Sequence, residues 1–332
     1  MVWDAATLTP LRVFSQHRDA VTGLAFRRGT NQLYSASKDR TIKIWSLDEL
    51  AYVETLFGHQ DEVVDVAALA QERCVSVGAR DRTARLWKVV EETQLVFRGG
   101  GDGKKSRNKD AAPRVNEGSM DRVAMIDEEM FVTGSDNGCI SLWVVHKKKP
   151  IHTLQQAHGV EEAMSPEEYS AETCPKAERR PWPQPRWITA LATIPFSDVI
   201  LSGSWDGQVR AWRVSEDRKK IESLGVVGKA GYPHGVPKSE DVQMEEAEMA
   251  DGELGDEDAA AALVAGHHKK REEPEPVLKG VINDISIFER GERGKDGACV
   301  VVAVGKEHRL GRWKKLADGA KNGAYVFEIP RL

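Results

Sequence analysis

The sequence predicts an all-β fold assembled from a repeated four-stranded unit, and three observations carry that prediction. Tryptophan recurs at a fixed interval, Trp3, Trp45 and Trp87 each lying 42 residues apart. His17 and His59 keep the same interval of 42, as do Asp39 and Asp81, and each His precedes its Asp by 22. The text around each Trp is also repeated, as Ser-Ala-Ser-Lys-Asp-Arg-Thr-Ile-Lys-Ile-Trp over 35–45 and Ser-Val-Gly-Ala-Arg-Asp-Arg-Thr-Ala-Arg-Leu-Trp over 76–87. Self-similarity at such a period is the mark of a repeat architecture.

Within one unit the elements follow in order. Val21 to Phe26, Gln32 to Ser37, Thr41 to Ser46 and Tyr52 to Phe57 are runs rich in β-formers. Turn signals separate them, Arg-Gly-Thr-Asn at 28–31 and Lys-Asp-Arg at 38–40. Three further copies of the Trp text end at Trp143, Trp212 and Trp313, with wider spacing. A lone four-stranded meander cannot bury both faces, whereas radially stacked copies can, which is the β-propeller solution. His17, Asp39 and Trp45, and likewise His59, Asp81 and Trp87, are then expected to form a buried polar chain within each blade, a structural role and not a catalytic pairing.

These residues resemble the WD-repeat family. Its Gly-His element stands as Gly58-His59 and is loosened to Gln16-His17. A WD40 β-propeller is therefore the expected fold. Met1-Val2-Trp3-Asp4 reads as the end of a third strand and Leu11 to Phe14 as a fourth, so residues 1–332 amount to one propeller domain of about five and a half blades, against seven in the family's usual ring, and incomplete at the N-terminal side. The edge near residues 1–4 would then be one that further blades cover. The later units depart from the pattern. The third full unit has no Gly-His, with Asn137 in the register of the turn aspartate, and the last has Glu307 there with no His upstream. Those blades are expected to depend more on apolar packing.

Insertions at about 98–118, 155–186 and 225–278 stretch the ladder, each after a fourth strand and before the next first strand. In a propeller such connections emerge on one face, shared with the turns of Asp39 and Asp81, and insertions on one face mark a contact surface. The first is glycine-rich and basic but lacks the spacing of a phosphate-binding loop, because Arg98 occupies the required Gly position. The second ends in the stiff run Pro181-Trp182-Pro183-Gln184-Pro185-Arg186-Trp187. The third holds Glu240 to Asp258, 19 residues with ten acids and no Lys or Arg. Setting those acids aside turns the net charge of −5 into +5 for the other 313 residues. The body is mildly basic and the acidity sits on one segment too polar to fold by itself.

Several function classes drop out. No window approaches the ~18 apolar residues of a membrane span. The N-terminus shows no signal pattern, and Cys74, Cys139, Cys174 and Cys299 lie far apart, so a reducing intracellular compartment without disulfides or zinc is expected. Gly-x-Ser-x-Gly, His-Glu-x-x-His and paired cysteines are all missing, leaving neither an enzyme nor a cofactor or small-molecule site to propose.

The C-terminal text Ala303-Val304-Gly305-Lys306-Glu307-His308-Arg309-Leu310-Gly311-Arg312-Trp313 is not ordinary repeat text. Together with residues 17–30 and 52–61 it resembles the WD-repeat proteins specific to the U3 small nucleolar ribonucleoprotein, across the blades and not the insertions. That resemblance implies a non-enzymatic nucleolar scaffold that binds U3 small nucleolar RNA beside the box C/D core proteins and other small-subunit processome proteins in early pre-ribosomal RNA processing. The alternative is a general protein-interaction propeller such as a ubiquitin-ligase substrate receptor, but Trp3-Asp4-Ala5-Ala6 and Trp205-Asp206-Gly207-Gln208 both lack the Arg of that box. Arg312 stands where the other units have apolar Ile44, Leu86, Leu142 and Ala211, and Arg309 where they have uncharged Thr41, Thr83, Cys139 and Gln208. An Arg at a buried-type position is costly unless it has an acidic or phosphate partner, be it RNA or an internal salt bridge such as with Glu307. Lys306, His308, Arg309 and Arg312 are therefore candidate RNA contacts, with Lys38, Arg40, Arg80 and Arg82 forming a basic rim beside the turn aspartates. Trp205, standing for a small turn residue, is a candidate protein contact.

Overall fold

Alternation of β-branched and small residues with tight turns gives strands, and a computed structural model shows how they stack. It describes residues 1–99, 118–161, 184–228, 278–311 and 319–329. The chain divides into two units, Met1–Gly228 joined by Pro276–Leu332, and Lys229–Glu275, which lies outside the described residues.

A two-stranded piece opens the chain, β1 (Val2–Trp3) paired with β2 (Pro10–Arg12). The first full blade is β3 (Val21–Phe26), β4 (Gln32–Ser37), β5 (Thr41–Ser46) and β6 (Ala51–Phe57), nearly the bounds read from sequence. The second is β7 (Val63–Ala68), β8 (Arg73–Gly78), β9 (Thr83–Lys88) and β10 (Thr93–Arg98). The third is β11 (Met120–Met125), β12 (Met130–Ser135), β13 (Ile140–Val144) and β14 (His152–Leu154). The fourth is β15 (Ala190–Thr193), β16 (Val199–Gly203), β17 (Val209–Val214) and β18 (Ile221–Val226). The fifth holds three strands among the described residues, β19 (Val281–Glu289), β20 (Ala298–Gly305) and β21 (Gly323–Ile329). Every sheet is an antiparallel meander in chain order.

The hydrophobic core is divided among the blade interfaces. Tyr34, Ile42 and Ile44 of the first blade share a cluster with Val63 and Val66 of the second. Val75, Leu86 and Phe97 of the second share one with Met120, Phe131 and Trp143 of the third. Two more clusters join third to fourth and fourth to fifth. Each blade thus buries its faces only against its neighbours, as stacking requires. The outer flanks are less covered: Leu24 and Phe26 of β3 are exposed, as are Phe288 and Val326 of the fifth blade, and so is Trp3.

One expectation is corrected in the last blade. The repeat register put a third strand directly before Trp313, but β20 pairs next with β21, well past that position. Residues 306–311 form a turn after β20, and Arg312 and Trp313 lie outside the described residues. The repeat text there has the residue types of a strand entry, but among the described residues the place beside β20 is taken by β21.

Candidate nucleic-acid interface

A polar chain inside the first, second and fourth blades fixes the turn face, and its geometry is repeated. Trp45 Nε1 donates to Ser35 Oγ at 2.8 Å, Ser35 Oγ lies 2.7 Å from His17 Nε2, and His17 Nδ1 lies 2.8 Å from Asp39 Oδ2. A carboxylate only accepts, so Nδ1 carries the proton, Nε2 accepts from the serine, and the donors run one way from indole to carboxylate. The second blade repeats it with Trp87, Ser76, His59 and Asp81, at 2.8, 2.8 and 2.7 Å. Burial would raise the Asp39 carboxyl, but bonds from the Thr41 hydroxyl, the Arg18 amide and His17 hold it down at about 2. The same balance of burial against His59 and Thr83 leaves Asp81 lowered.

A third complete chain was not foreseen. His158 Nδ1 lies 2.9 Å from Asp206 Oδ2 and its Nε2 2.8 Å from Ser202 Oγ, which accepts from Trp212 Nε1 at 2.8 Å. His158 and Asp206 are 48 residues apart, not 22, because the second insertion falls between them. The serines were also missed, although Ser35, Ser76 and Ser202 open each copy of the repeated text. In the third blade Trp143 Nε1 donates instead to Thr133 Oγ1 at 2.9 Å, and Asn137 receives the Ser135 hydroxyl. Phe97, Phe131 and Trp143 pack there with ring centroids 5.1 to 6.0 Å apart, the apolar substitute expected for this blade.

Each polar chain ends at a turn between second and third strands, and these turns carry the basic rim. Arg40 and Arg82 are exposed, with φ of 69° and 52°. Arg80 is exposed too, while Lys38 is half-buried and 3.7 Å from Glu62. The insertion ends meet the same turns: Gly99 N donates to Arg82 O, Ala157 N to Gly138 O and Leu278 N to Gly207 O. Beside the first turn opens a cleft of about 470 Å³. Arg18, Arg40 and Lys43 line it beside Asp39, whose carboxylate is bonded to His17 and Thr41, and Phe57, 70% exposed, gives it an open aromatic ring where the His59 ring is buried. Lys43 is held over the Tyr52 ring by a 2.7 Å bond to Thr55 Oγ1. Cations around an open aromatic ring suit a phosphate and a stacked base together. Arg18, Lys43 and Phe57 were not among the residues singled out from sequence.

Of the C-terminal candidates, His308 and Arg309 go inward. Arg309 Nη1 donates to Thr22 O at 2.9 Å, and Nη2 to Val64 O at 3.2 Å and Asp121 O at 3.3 Å. Its amide donates to Asn283 Oδ1 at 2.7 Å. Burial, with Arg122 nearby, lowers its pKa to about 10, so it stays charged at neutral pH. Arg309 is half-buried and its partners are carbonyls of the first three blades, so it leaves the set of proposed RNA contacts. Arg122 completes this hub. Its Nε donates to Thr189 O at 2.7 Å, and its guanidinium lies 3.6 Å from Asp65 and 3.3 Å from Asp284. Asp65, Arg122 and Asp284 each follow a register shift in their strand, and such bulges re-aim side chains. His308 is buried with its ring edge towards Trp187, whose ring packs on Trp205 with centroids 5.2 Å apart. Lys306 remains exposed. No group of described residues could hold a metal ion, and no described helix is long and apolar enough to cross a membrane.

Fold and polar chains together define a WD-repeat β-propeller whose turn face is basic. The family model described as WD domain, G-beta repeat matches residues 8–46, 51–88 and 182–213. An uncharacterized WD repeat-containing protein of Schizosaccharomyces pombe is 45% identical over 330 residues, covering 99% of this chain and 53% of that protein. Ribosomal RNA-processing protein 9 of Saccharomyces cerevisiae is 36% identical over 352 residues, covering 98% and 53%. A solved structure of U3-55K superposes with a TM-score of 0.67 at 32% identity, covering 98% of this chain and 73% of that one. The chain belongs to the WD-repeat family of proteins associated with the U3 small nucleolar ribonucleoprotein. It spans about half the length of the curated relatives it matches.

Proposed function

We propose that this protein is a non-enzymatic scaffold subunit of the U3 small nucleolar ribonucleoprotein, acting in the nucleolus in early processing of small-subunit ribosomal RNA. One observation carries the RNA contact: the turn-face cleft combines Arg18, Arg40 and Lys43 with the open ring of Phe57. U3 small nucleolar RNA lies against this cleft and the rim of Arg40, Arg80 and Arg82, with Lys38 beside it. Lys306 extends the rim after β20, and the partly buried pair Trp187–Trp205 offers box C/D core or other processome proteins an aromatic contact on the same face. The similarity to ribosomal RNA-processing protein 9 and to U3 small nucleolar RNA-interacting protein 2 supports the ribosomal RNA-processing role.

The test is recovery of RNA with the full-length protein from cells. U3 RNA is enriched above other box C/D RNAs, and equal recovery of all of them overturns the assignment. Arg18→Glu with Arg40→Glu lowers U3 recovery at least ten-fold while the melting temperature stays within a few degrees. Retained recovery would remove this cleft from the interface.

A further inference from the structure

The turn face is not the only cationic surface. Each third strand leads at its far end into a second set of turns, on the opposite face. In the first two blades these turns are acidic, Leu47-Asp48-Glu49-Leu50 and Val89-Val90-Glu91-Glu92. In the third blade the turn is basic, with Lys147, Lys148 and Lys149, and in the fourth Glu216 and Asp217 are followed by Arg218, Lys219 and Lys220, three cations against two acids. The change of sign falls between adjacent blades, so the cations are gathered, not scattered.

Between the two basic turns lies a cleft of about 650 Å³. Val144, Pro150 and Ile151 form its apolar floor. Its remaining described lining is Lys147, Lys148, Lys149, Arg218 and Lys219, five cations and no acid. Lys147 and Lys148 make no ion pair among the described residues, so their charge is uncompensated locally. The turns are held in shape before any ligand arrives. Lys147 N donates to Val144 O at 2.9 Å and Ile151 N to Leu142 O at 2.9 Å. In the other turn Arg218 N donates to Ser215 O at 2.7 Å, and Lys219 N to Asp217 Oδ1 at 3.1 Å. Asp217 is thereby turned onto its own turn and away from the cleft. Asp127 pairs with Arg218 and anchors it at the rim.

We infer that this opposite-face cleft is a second binding site for RNA, recognising the phosphodiester backbone without regard to sequence. The inference rests on the RNA-associated reading above only for the choice of ligand. Lysines are point charges that bind phosphates, and the cleft has no aromatic ring on which a base would stack, unlike the cleft at Phe57. A floor of aliphatic carbon suits the sugar edge of a strand. The two sites stand on opposite faces and on different blades, so the strand length alone, roughly 17 Å for a five-residue strand such as β13, separates them along the strand direction. One propeller would then hold two RNA segments apart at a fixed distance.

Binding of a fluorescent fifteen-residue oligouridine to the full chain tests this, over a range of salt concentrations. The variant Lys147→Glu/Lys148→Glu/Lys219→Glu weakens binding about ten-fold or more. It also reduces the slope of log affinity against log salt by about 2, since three contacts each contribute about 0.7 on a single strand. The Gln counterparts at the same positions reduce the slope equally with a smaller loss of affinity, which separates loss of charge from misfolding. Unchanged affinity and slope in the Glu variant overturn the site. If labelled polyglutamate loses its binding to that variant while oligouridine does not, the cleft serves an acidic protein and the inference also fails. The pair Arg18→Glu/Arg40→Glu, measured alongside, reports on the turn-face cleft separately, so either site can fail while the other stands.

Discussion

At the scale of single residues, the buried His–Asp pairs make stability depend on acidity in a defined window. Asp39 ionises more readily in the fold than in the unfolded chain, so its contribution is complete above about pH 4. It is lost as the pH falls through about 2. Asp81 and Asp206, also lowered, act in the same direction. Denaturant unfolding between pH 2 and 5 should show stability dropping through this window, and Asp39→Asn should flatten the drop. A second expectation concerns the serine shared by Trp212 and His158. Ser202→Ala leaves a buried indole N–H and an imidazole nitrogen unpaired, a loss of about 1–3 kcal/mol read from the midpoint of urea unfolding. The first two His–Asp–Trp sets were legible because fixed spacing exposes them. The serine was hidden among many small polar residues, and His158 behind an insertion that broke the spacing without disturbing the geometry.

At the scale of strands and blades, small residues in the second strand admit the next blade. A Cβ on Gly134 would stand 2.6 Å from Ile188 Cγ2, and one on Gly203 2.4 Å from Ile282 Cγ2. In the first blade Ala36 takes the equivalent place and the incoming residue is the smaller Val63. Gly134→Ala should therefore destabilise by about 1–3 kcal/mol through overpacking, and Ile188→Val should recover part of that loss. A double-mutant cycle by thermal unfolding measures the coupling, and simple additivity would refute the notch. Strand bounds in the first blade were readable almost to the residue, because turn chemistry brackets every run. The fifth blade was not, since the residues after β20 imitate the repeat while, among the described residues, the strand that pairs with β20 begins at Gly323. A motif records residue types, and only pairing tells which run becomes the neighbouring strand.

At the scale of the whole ring, two arginines connect all five blades. Arg309 reaches the first three, and Arg122 of the third reaches the second, fourth and fifth. Arg309→Met leaves three carbonyls short of a donor and should cost on the order of 2–4 kcal/mol. Thermal unfolding checks it, with U3 recovery falling only as far as the folded fraction does. A selective loss of RNA from a fully folded variant would return Arg309 to the interface. The bond from Arg309 to Thr22 also has a meaning in time, for it joins residues 287 apart in the chain. During synthesis the first blade must wait for almost every later residue before that bond forms. Blades that pair locally gather first, and the clasp closes late. An interaction made after the rate-limiting step slows opening more than it speeds assembly. The arginine would then set how long a finished ring endures, and leave the pace of its formation to the blades.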